Sequence, residues 1–397
     1  MIARSKPRFL TLPMIDAAIA CTGTLLSFEA LFFNQGRVGL RFLLSELRGH
    51  RHKPLRVAVQ DFNCEVVAEA VIESGNRLVL LDIEPAFFSI SPESLECLMP
   101  APDVLVLTHY QGIPNPHSPE IEAYCSRNGV FLIEDAAQSE GGLVGGRSIG
   151  SFGAVTLESY AFDKPFCAYE GGALRFSPVF HDHVLLTSLR DAYDSLPMES
   201  KKKERADLLA LEMLLQLTEI DRYDRSVSWG GWGNVFRWMP YPKFVRFMQQ
   251  TSLPGDVGRR LLKLVAKMAK SPYAAVRLGE AKRRLVEAQR QKWSRESLAV
   301  GFWDQVVTEL GLKPVAIPGV SVCWNRYSVL DHPDQRLRHW CHAHGIEAKN
   351  YNWPRPLRMC CPSGSYELGS ADFTHTDFCC EHVLNLPTWF DLKDVKL

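Results

Sequence analysis

From about residue 55 the chain alternates short apolar runs with amphipathic ones. "RVAVQDF" (56–62), "RLVLLDI" (77–83), "DVLVLTHY" (103–110) and "VFLIEDAA" (130–137) have the length and bounding residues of buried strands. Between them lie helical patterns. "EVVAEAVIESG" (65–75) stops on Gly75, a residue suited to the left-handed turn after a helix. "SPESLECLM" (91–99) and "SPEIEAYCSRNG" (118–129) both open on Ser-Pro, a capping hydroxyl with proline at the first helical position, and the second stops on a glycine. Strand–helix alternation with short links predicts a mostly parallel sheet between helices. Ligands of such sheets bind beyond the carboxyl ends of the strands, where Asp135 falls.

The pattern changes along the chain. Residues 181–300 hold long helical stretches, "ADLLALEMLLQL" (206–217) and "GRRLLKLVAKMAK" (258–270), around an aromatic and basic segment, "SVSWGGWGNVFRWMPYPKFVRFMQQ" (226–250). After about residue 300 it returns to α+β. The expected organisation is a large domain over 1–190, a helical insertion with connecting helices over 191–300, and a small C-terminal α+β domain over 301–397.

Composition narrows the function. Lys and Arg together equal Asp and Glu at 45 each, so the chain has no net formal charge and lacks the basic excess of a nucleic-acid binder. An anionic ligand has to be caught by local groups. The hydrophobic fraction of 46% is that of a globular protein, and no run approaches a membrane span. The basic start is interrupted by Pro13 and Asp16 before any signal-peptide core. Eleven cysteines without framework spacing read as reduced thiols, so the expected location is the cytoplasm. Cys360, Cys361, Cys379 and Cys380 form adjacent pairs, which seldom converge on one ion, so buried thiols are expected there and no metal.

Three features carry candidate chemistry: "IEDAAQ" (133–138), "GSFGAVTLESYAFDK" (150–164) and "EGGAL" (170–174). A strand-end carboxylate or a lone lysine is individually common. Here Lys164 stands among apolar and aromatic residues, where partial removal from water would favour the reactive neutral amine. Taken in order and spacing, the set resembles the DegT/DnrJ/EryC1/StrS sugar aminotransferases, fold-type-I enzymes that use pyridoxal 5′-phosphate (PLP). "LVLLDIEPAFFSISPESLE" (78–96), "THYQGIPNP" (108–116) and "LNLPTW" (384–389) extend the likeness, which is good over about 55–180 and 320–390 and poor over 181–300.

The resemblance implies a role for each residue. Lys164 would join the cofactor covalently and then move the proton between substrate and cofactor carbons. Asp135 would pair with the pyridine nitrogen and keep it protonated, so that the ring withdraws electrons. Gln138 would hydrogen-bond the ring hydroxyl, and Ser159 would bind the phosphate. Gly36, in "NQGRVGL" (34–40), would open the phosphate-holding helix, with Arg37 standing where the family has a hydroxyl. The ring-stacking position falls on Cys64, with Phe62 as its aromatic substitute if that side chain lies on the same face. His109 and Tyr110 would lie near substrate, with loop packing as the plainer reading of His109. The family's neighbouring-subunit asparagine is missing near "SPYAAVRLGEAKRRL" (271–285), leaving Tyr273 or Arg277.

The expected function is therefore amination of a keto-sugar, nucleotide-linked, with glutamate or glutamine as donor, in a homodimer with a shared site. Lysine at position 164 favours transamination over dehydration, for which the family uses histidine. The alternatives are a binding or regulatory protein on the same fold, or a PLP enzyme of another type, such as a cyclitol aminotransferase or sugar dehydratase. Residues 226–250 could pack within an insertion, line a groove or dimer contact, or touch a membrane surface; groove or packing is the favoured expectation.

Overall fold

The computed structural model describes residues 30–162, 164–178, 182–220, 274–291, 298–344 and 353–388, with Met14, Phe180 and Ile346. The aromatic segment 226–250, the helix expected at 258–270 and Tyr273 lie outside the described residues. The chain opens with β1 (Ala30–Phe33) and α1 (Gly36–Arg51), then alternates β2 (Arg56–Gln60), α2 (Glu65–Glu73), β3 (Arg77–Leu81), α3 (Pro92–Glu96), β4 (Val104–Thr108), α4 (Ser118–Asn128) and β5 (Phe131–Asp135). Two short strands, β6 (Leu143–Val144) and β7 (Arg147–Ser148), precede β8 (Val155–Ser159) and β9 (Gly172–Phe176). Helices α5 (His183–Asp194), α6 (Lys201–Ile220), α7 (Glu280–Gln291) and α8 (Leu298–Glu309) follow. The remainder runs β10 (Val320–Ser321), β11 (Tyr327–Leu330), α9 (Arg336–Ala343), α10 (Leu357–Cys360), β12 (Tyr366–Leu368), α11 (Thr374–His382) and β13 (Val383–Leu386).

The capping chemistry accounts for several boundaries. Ser91 accepts a hydrogen bond from the Ser94 N–H, and Pro92 begins α3. Asp182 does the same for the Leu185 N–H at the start of α5. Gly129 closes α4 in a left-handed conformation.

Eight strands form one sheet in the order β1-β9-β8-β5-β4-β2-β3-β12. The run from β8 to β12 is parallel, and β9 is antiparallel to both neighbours. The parallel strands are apolar at nearly every position because both faces are covered. Val57, Val59, Leu78, Leu80, Val104, Val106 and Ile133 pack in one core that includes residues of α1 and α2. The alternate residues Ala58, Val79, Leu81, Leu105, Leu107 and Leu132 pack in another with Ile121, Tyr124 and Cys125 of α4. α1 lays Val38, Leu40, Leu43, Leu44 and Leu47 on the first face.

β12 comes from the far end of the sequence, pairing Tyr366, Glu367 and Leu368 with Leu78, Val79 and Leu80. Part of the C-terminal region builds a further core: Trp303 of α8 and Leu337 and Cys341 of α9 against the antiparallel pair β11–β13. The buried Trp303 indole donates to the Pro387 carbonyl at 2.8 Å. No described helix is long and apolar enough to cross a membrane.

Candidate active site

The sheet order reverses between β2 and β4: α2 leads from β2 to β3 on one side, and the chain then crosses back to β4 on the other. A crevice opens at such a point beyond the strand ends. Here it is a cavity of about 350 Å³. Asp135, Gln138, Ser159 and Lys164 all line it, as do Gly36 and Arg37 at the head of α1.

Asp135 is the last residue of β5, and its side chain accepts from the Ala137 N–H at 3.0 Å. Burial pushes its carboxyl above the usual value, against the Ala137 hydrogen bond and the nearby Lys164. Gln138 turns its carbonyl end to the Gln111 N–H at 3.3 Å, which leaves the amide N–H₂ as the end that can donate to a ligand.

The start of α1 depends on glycine. A Cβ on Gly36 would sit 3.0 Å from the Glu158 carbonyl oxygen, and one on Gly172 would sit 2.4 Å from the Gly36 Cα. Two hydrogens at this crossing let α1 start directly against the β8–β9 ladder, beside Ser159. Gln35, at the cap position, makes no side-chain capping bond. Its carbonyl end accepts instead from the Arg37 Nε at 2.8 Å, so the first amides of α1 remain available to an anion. Arg37 also lies 3.7 Å from Glu69, which shares its charge.

Two expectations about aromatic and loop residues change. Phe62 does not reach the cavity. It is fully buried in a ring cluster with Phe88, Tyr110 and Trp353, its centroid 5.1 Å from that of Tyr110. Phe62 fills an apolar core while Cys64, two residues on, lines the cavity. Tyr110 is equally remote: its hydroxyl donates to Asn385 Oδ1 at 3.2 Å inside the protein, and burial pushes its phenol far above the usual range. His109 lines the cavity, but both of its nitrogens are engaged within the protein. Nδ1 accepts from the Asn115 N–H at 3.0 Å and Nε2 faces Glu134 Oε1 at 3.2 Å.

The structure also adds residues that the sequence did not single out. Trp353 comes from the C-terminal region, lines the cavity, and hydrogen-bonds the Cys64 thiol. Burial raises the Cys64 thiol pKa, and Lys164 and Asp135 both act on it. Glu170, in the double-glycine motif, also lines the cavity and accepts from Lys203 Nζ at 3.2 Å. A lone tryptophan outside the quoted motifs gives no pattern; Glu170 stands in a motif whose glycines drew attention instead. Arg277 pairs with Asp194 at 3.3 Å and does not line the cavity of its own chain.

Residues 30–192 match the model of the DegT/DnrJ/EryC1/StrS aminotransferase family. Among curated relatives, a UDP-N-acetyl-3-dehydro-alpha-D-glucosamine 3-aminotransferase of Acidithiobacillus ferrooxidans is 29% identical over 119 residues, which is 30% of this chain and 32% of that protein. An L-glutamine:2-deoxy-scyllo-inosose aminotransferase of Streptomyces kanamyceticus is 33% identical over 108 residues, 27% of this chain and 25% of that protein. The chain therefore matches at most about a third of the length of either relative. Among solved structures, a DegT DnrJ EryC1 StrS aminotransferase from Brucella abortus superposes with a TM-score of 0.65 at 19% identity, covering 96% of this chain and 91% of that one. Residues 30–192 thus carry the pattern of the DegT/DnrJ/EryC1/StrS aminotransferase family, and the chain as a whole carries the fold of its solved members.

Proposed function

We propose that this protein is a PLP-dependent aminotransferase that converts a keto-sugar, nucleotide-linked, to an amino sugar, taking nitrogen from glutamate or glutamine. The observation that carries this is the convergence of Lys164, Asp135, Gln138 and Ser159 with the head of α1 on one cavity. The donor set fits the cofactor: a carboxylate for a protonated ring nitrogen, an amide for a ring hydroxyl, and a hydroxyl with helix-end amides for a phosphate. Bound PLP supplies an electron-withdrawing ring that accepts the electron pair released when a C–H bond beside the substrate nitrogen breaks.

The chain's own groups supply the rest. Asp135, held by the Ala137 amide, would pair with a protonated ring nitrogen. Ser159 and the first amides of α1 would hold the phosphate, which would fix the cofactor's orientation. Lys164 Nζ would be the group that takes and returns the proton. Trp353 and Cys64 form a wall with little polar character, which keeps water from the reacting carbon. A nucleotide-linked acceptor, the two amino donors, a homodimer with its sites at the subunit boundary and a cytoplasmic setting belong to the same proposal.

The test is the absorption spectrum of the purified protein with PLP added. The expected result is a visible band that borohydride fixes covalently on Lys164 and that Lys164→Ala abolishes. Glutamate or glutamine should then convert the band to the amine form of the cofactor. A wild-type protein with no band in excess PLP overturns the proposal and leaves a binding or regulatory role.

A further inference from the structure

Lys164 lies in the connection from β8 to β9, residues 160–171, whose described residues form no helix or strand. Two adjacent residues in the last turn of α7 grip that connection. Gln289 is fully buried and holds both backbone groups of one residue: the Cys167 N–H donates to its Oε1 at 3.0 Å, and its Nε2 donates to the Cys167 carbonyl at 2.8 Å. The same Nε2 donates to the Leu285 carbonyl of its own helix at 3.0 Å, which fixes the orientation of the amide. Arg290 lies over the Phe166 ring, 4.8 Å from its centroid. Its guanidinium also reaches Glu158 Oε2 at 2.8 Å and Glu140 Oε2 at 2.9 Å.

These contacts fall on both sides of the cavity residues. Phe166 and Cys167 follow Lys164 by two and three positions. Glu158 precedes Ser159, and Glu140 follows Gln138 by two. The other end of α7 is fixed as well. Lys282, with no exposed surface, sits between Asp207 and Glu199, and Asp207 pairs in turn with Lys203, which holds Glu170. One helix therefore ties the lysine connection, the strand ends and the double-glycine motif to a common support.

We propose that Gln289 and Arg290 are positioning residues that set where Lys164 Nζ stands over the cavity. The amine rides on a long flexible side chain, so its placement is only as good as the backbone beneath it, and reactive geometry tolerates about 0.5 Å of error. The proposal rests on the reading of Lys164 as the cofactor-binding lysine.

The test compares wild type with Gln289→Leu, which removes both hydrogen bonds to Cys167, and Gln289→Glu, which keeps only the acceptor. Two quantities are read on folded protein. One is hydrogen–deuterium exchange in peptides spanning 160–171. The other is the rate at which PLP with borohydride labels Lys164, followed by mass spectrometry. Losing the grip should raise exchange of the connection and slow labelling, each about tenfold in Gln289→Leu, with Gln289→Glu between the two. A purely structural role would lower the amount of folded protein without changing the labelling rate per folded molecule. Unchanged exchange in both variants, or wild-type labelling despite a loosened connection, overturns the proposal. If wild type takes no label, the PLP reading fails, and the exchange measurement alone decides whether Gln289 holds the connection. If Gln289→Leu does not fold, Gln289→Glu decides both readings.

Discussion

Glu134 Oε1 and His109 Nε2 stand 3.2 Å apart beneath the cavity, each side chain fully shielded from solvent. The Asn115 N–H occupies Nδ1, so the ring proton sits on Nε2 and is donated to Glu134. The same carboxylate accepts from the Gly150 N–H at 2.9 Å and from the Phe152 and Gly153 N–H groups at 2.8 Å. Glu134 thus joins the loop after β4 to the "GSFG" turn before β8, one residue from Asp135.

Glu134→Gln should destabilise the protein. The replacement places an N–H₂ against N–H donors and leaves at least one of them unpaired in the interior, for a loss of about 1–3 kcal/mol. Urea denaturation at neutral pH measures it. Acid should act on the same group. Burial works against the charge of Glu134, yet His109 and the Gly150 and Gly153 amides hold its carboxyl below the usual 4.5. A depressed folded value gives stability that is present above pH 4.5 and lost as pH falls through the folded value. Wild type should therefore lose stability more steeply than Glu134→Gln on acidification below pH 4.5.

Gly172→Ala should separate α1 from the strands. Its new methyl would stand 2.4 Å from the Gly36 Cα and 2.6 Å from the Glu158 carbonyl, both backbone positions that cannot turn aside. The expected cost is about 1–3 kcal/mol of stability. PLP affinity, measured by absorbance titration, should fall by more than that stability loss explains. An unchanged dissociation constant would show that the head of α1 does not hold the cofactor phosphate.

Lys282→Met should be among the most damaging single changes. It strands Glu199 and Asp207 in the interior without their shared cation, a loss of about 3–5 kcal/mol. The fit of the cluster around Lys282 raises the lysine pKa in spite of burial. The sign follows: this contribution is complete at neutral pH and disappears only as pH climbs past the usual lysine range. Thermal unfolding at pH 7 and pH 11 reads both statements.

Glu140 behaves in the opposite way. Burial drives its carboxyl up to about 8, with the neighbouring Glu158 charge adding to the rise and Arg290 and Arg175 opposing it. A raised folded value for an acid means stability declines as pH rises from 4.5 to about 8. Glu140→Gln should abolish that decline, so the variant gains on wild type across this window in denaturant titrations at successive pH values.

Much of the sheet was legible because its strands are apolar on both faces and its helices are punctuated by serine, proline and glycine. Ser91, Gly129 and the carboxyl end of β5 fall where the local pattern puts them. Lys164 and Asp135 stand out in the sequence by their apolar surroundings and strand-end position, Gln138 and Ser159 follow from the resemblance, and the fold gathers all four at one cavity. What stayed hidden was decided by tertiary contact. The choice between Phe62 and Cys64 depends on which side chain the aromatic cluster claims. Trp353 reaches the cavity, and Gln289 and Arg290 reach the connection that carries Lys164, from outside the motifs. β1 is only four residues, too short for periodicity to mark.

β12 has a consequence for the growing chain. Residues 366–368 cover the outer edge of β3, whose "RLVLL" backbone would otherwise be an open edge. Glu367 adds a charge beside Arg56 at 3.2 Å, and the Gly369 N–H caps the Leu80 carbonyl at 2.8 Å. During synthesis nearly three hundred residues separate the strand from its cover. Throughout that interval β3 is an adhesive margin, open to the same strand of another nascent chain. Any chain ending before residue 366 keeps that margin permanently, so the last part of this sequence guards the first against self-association.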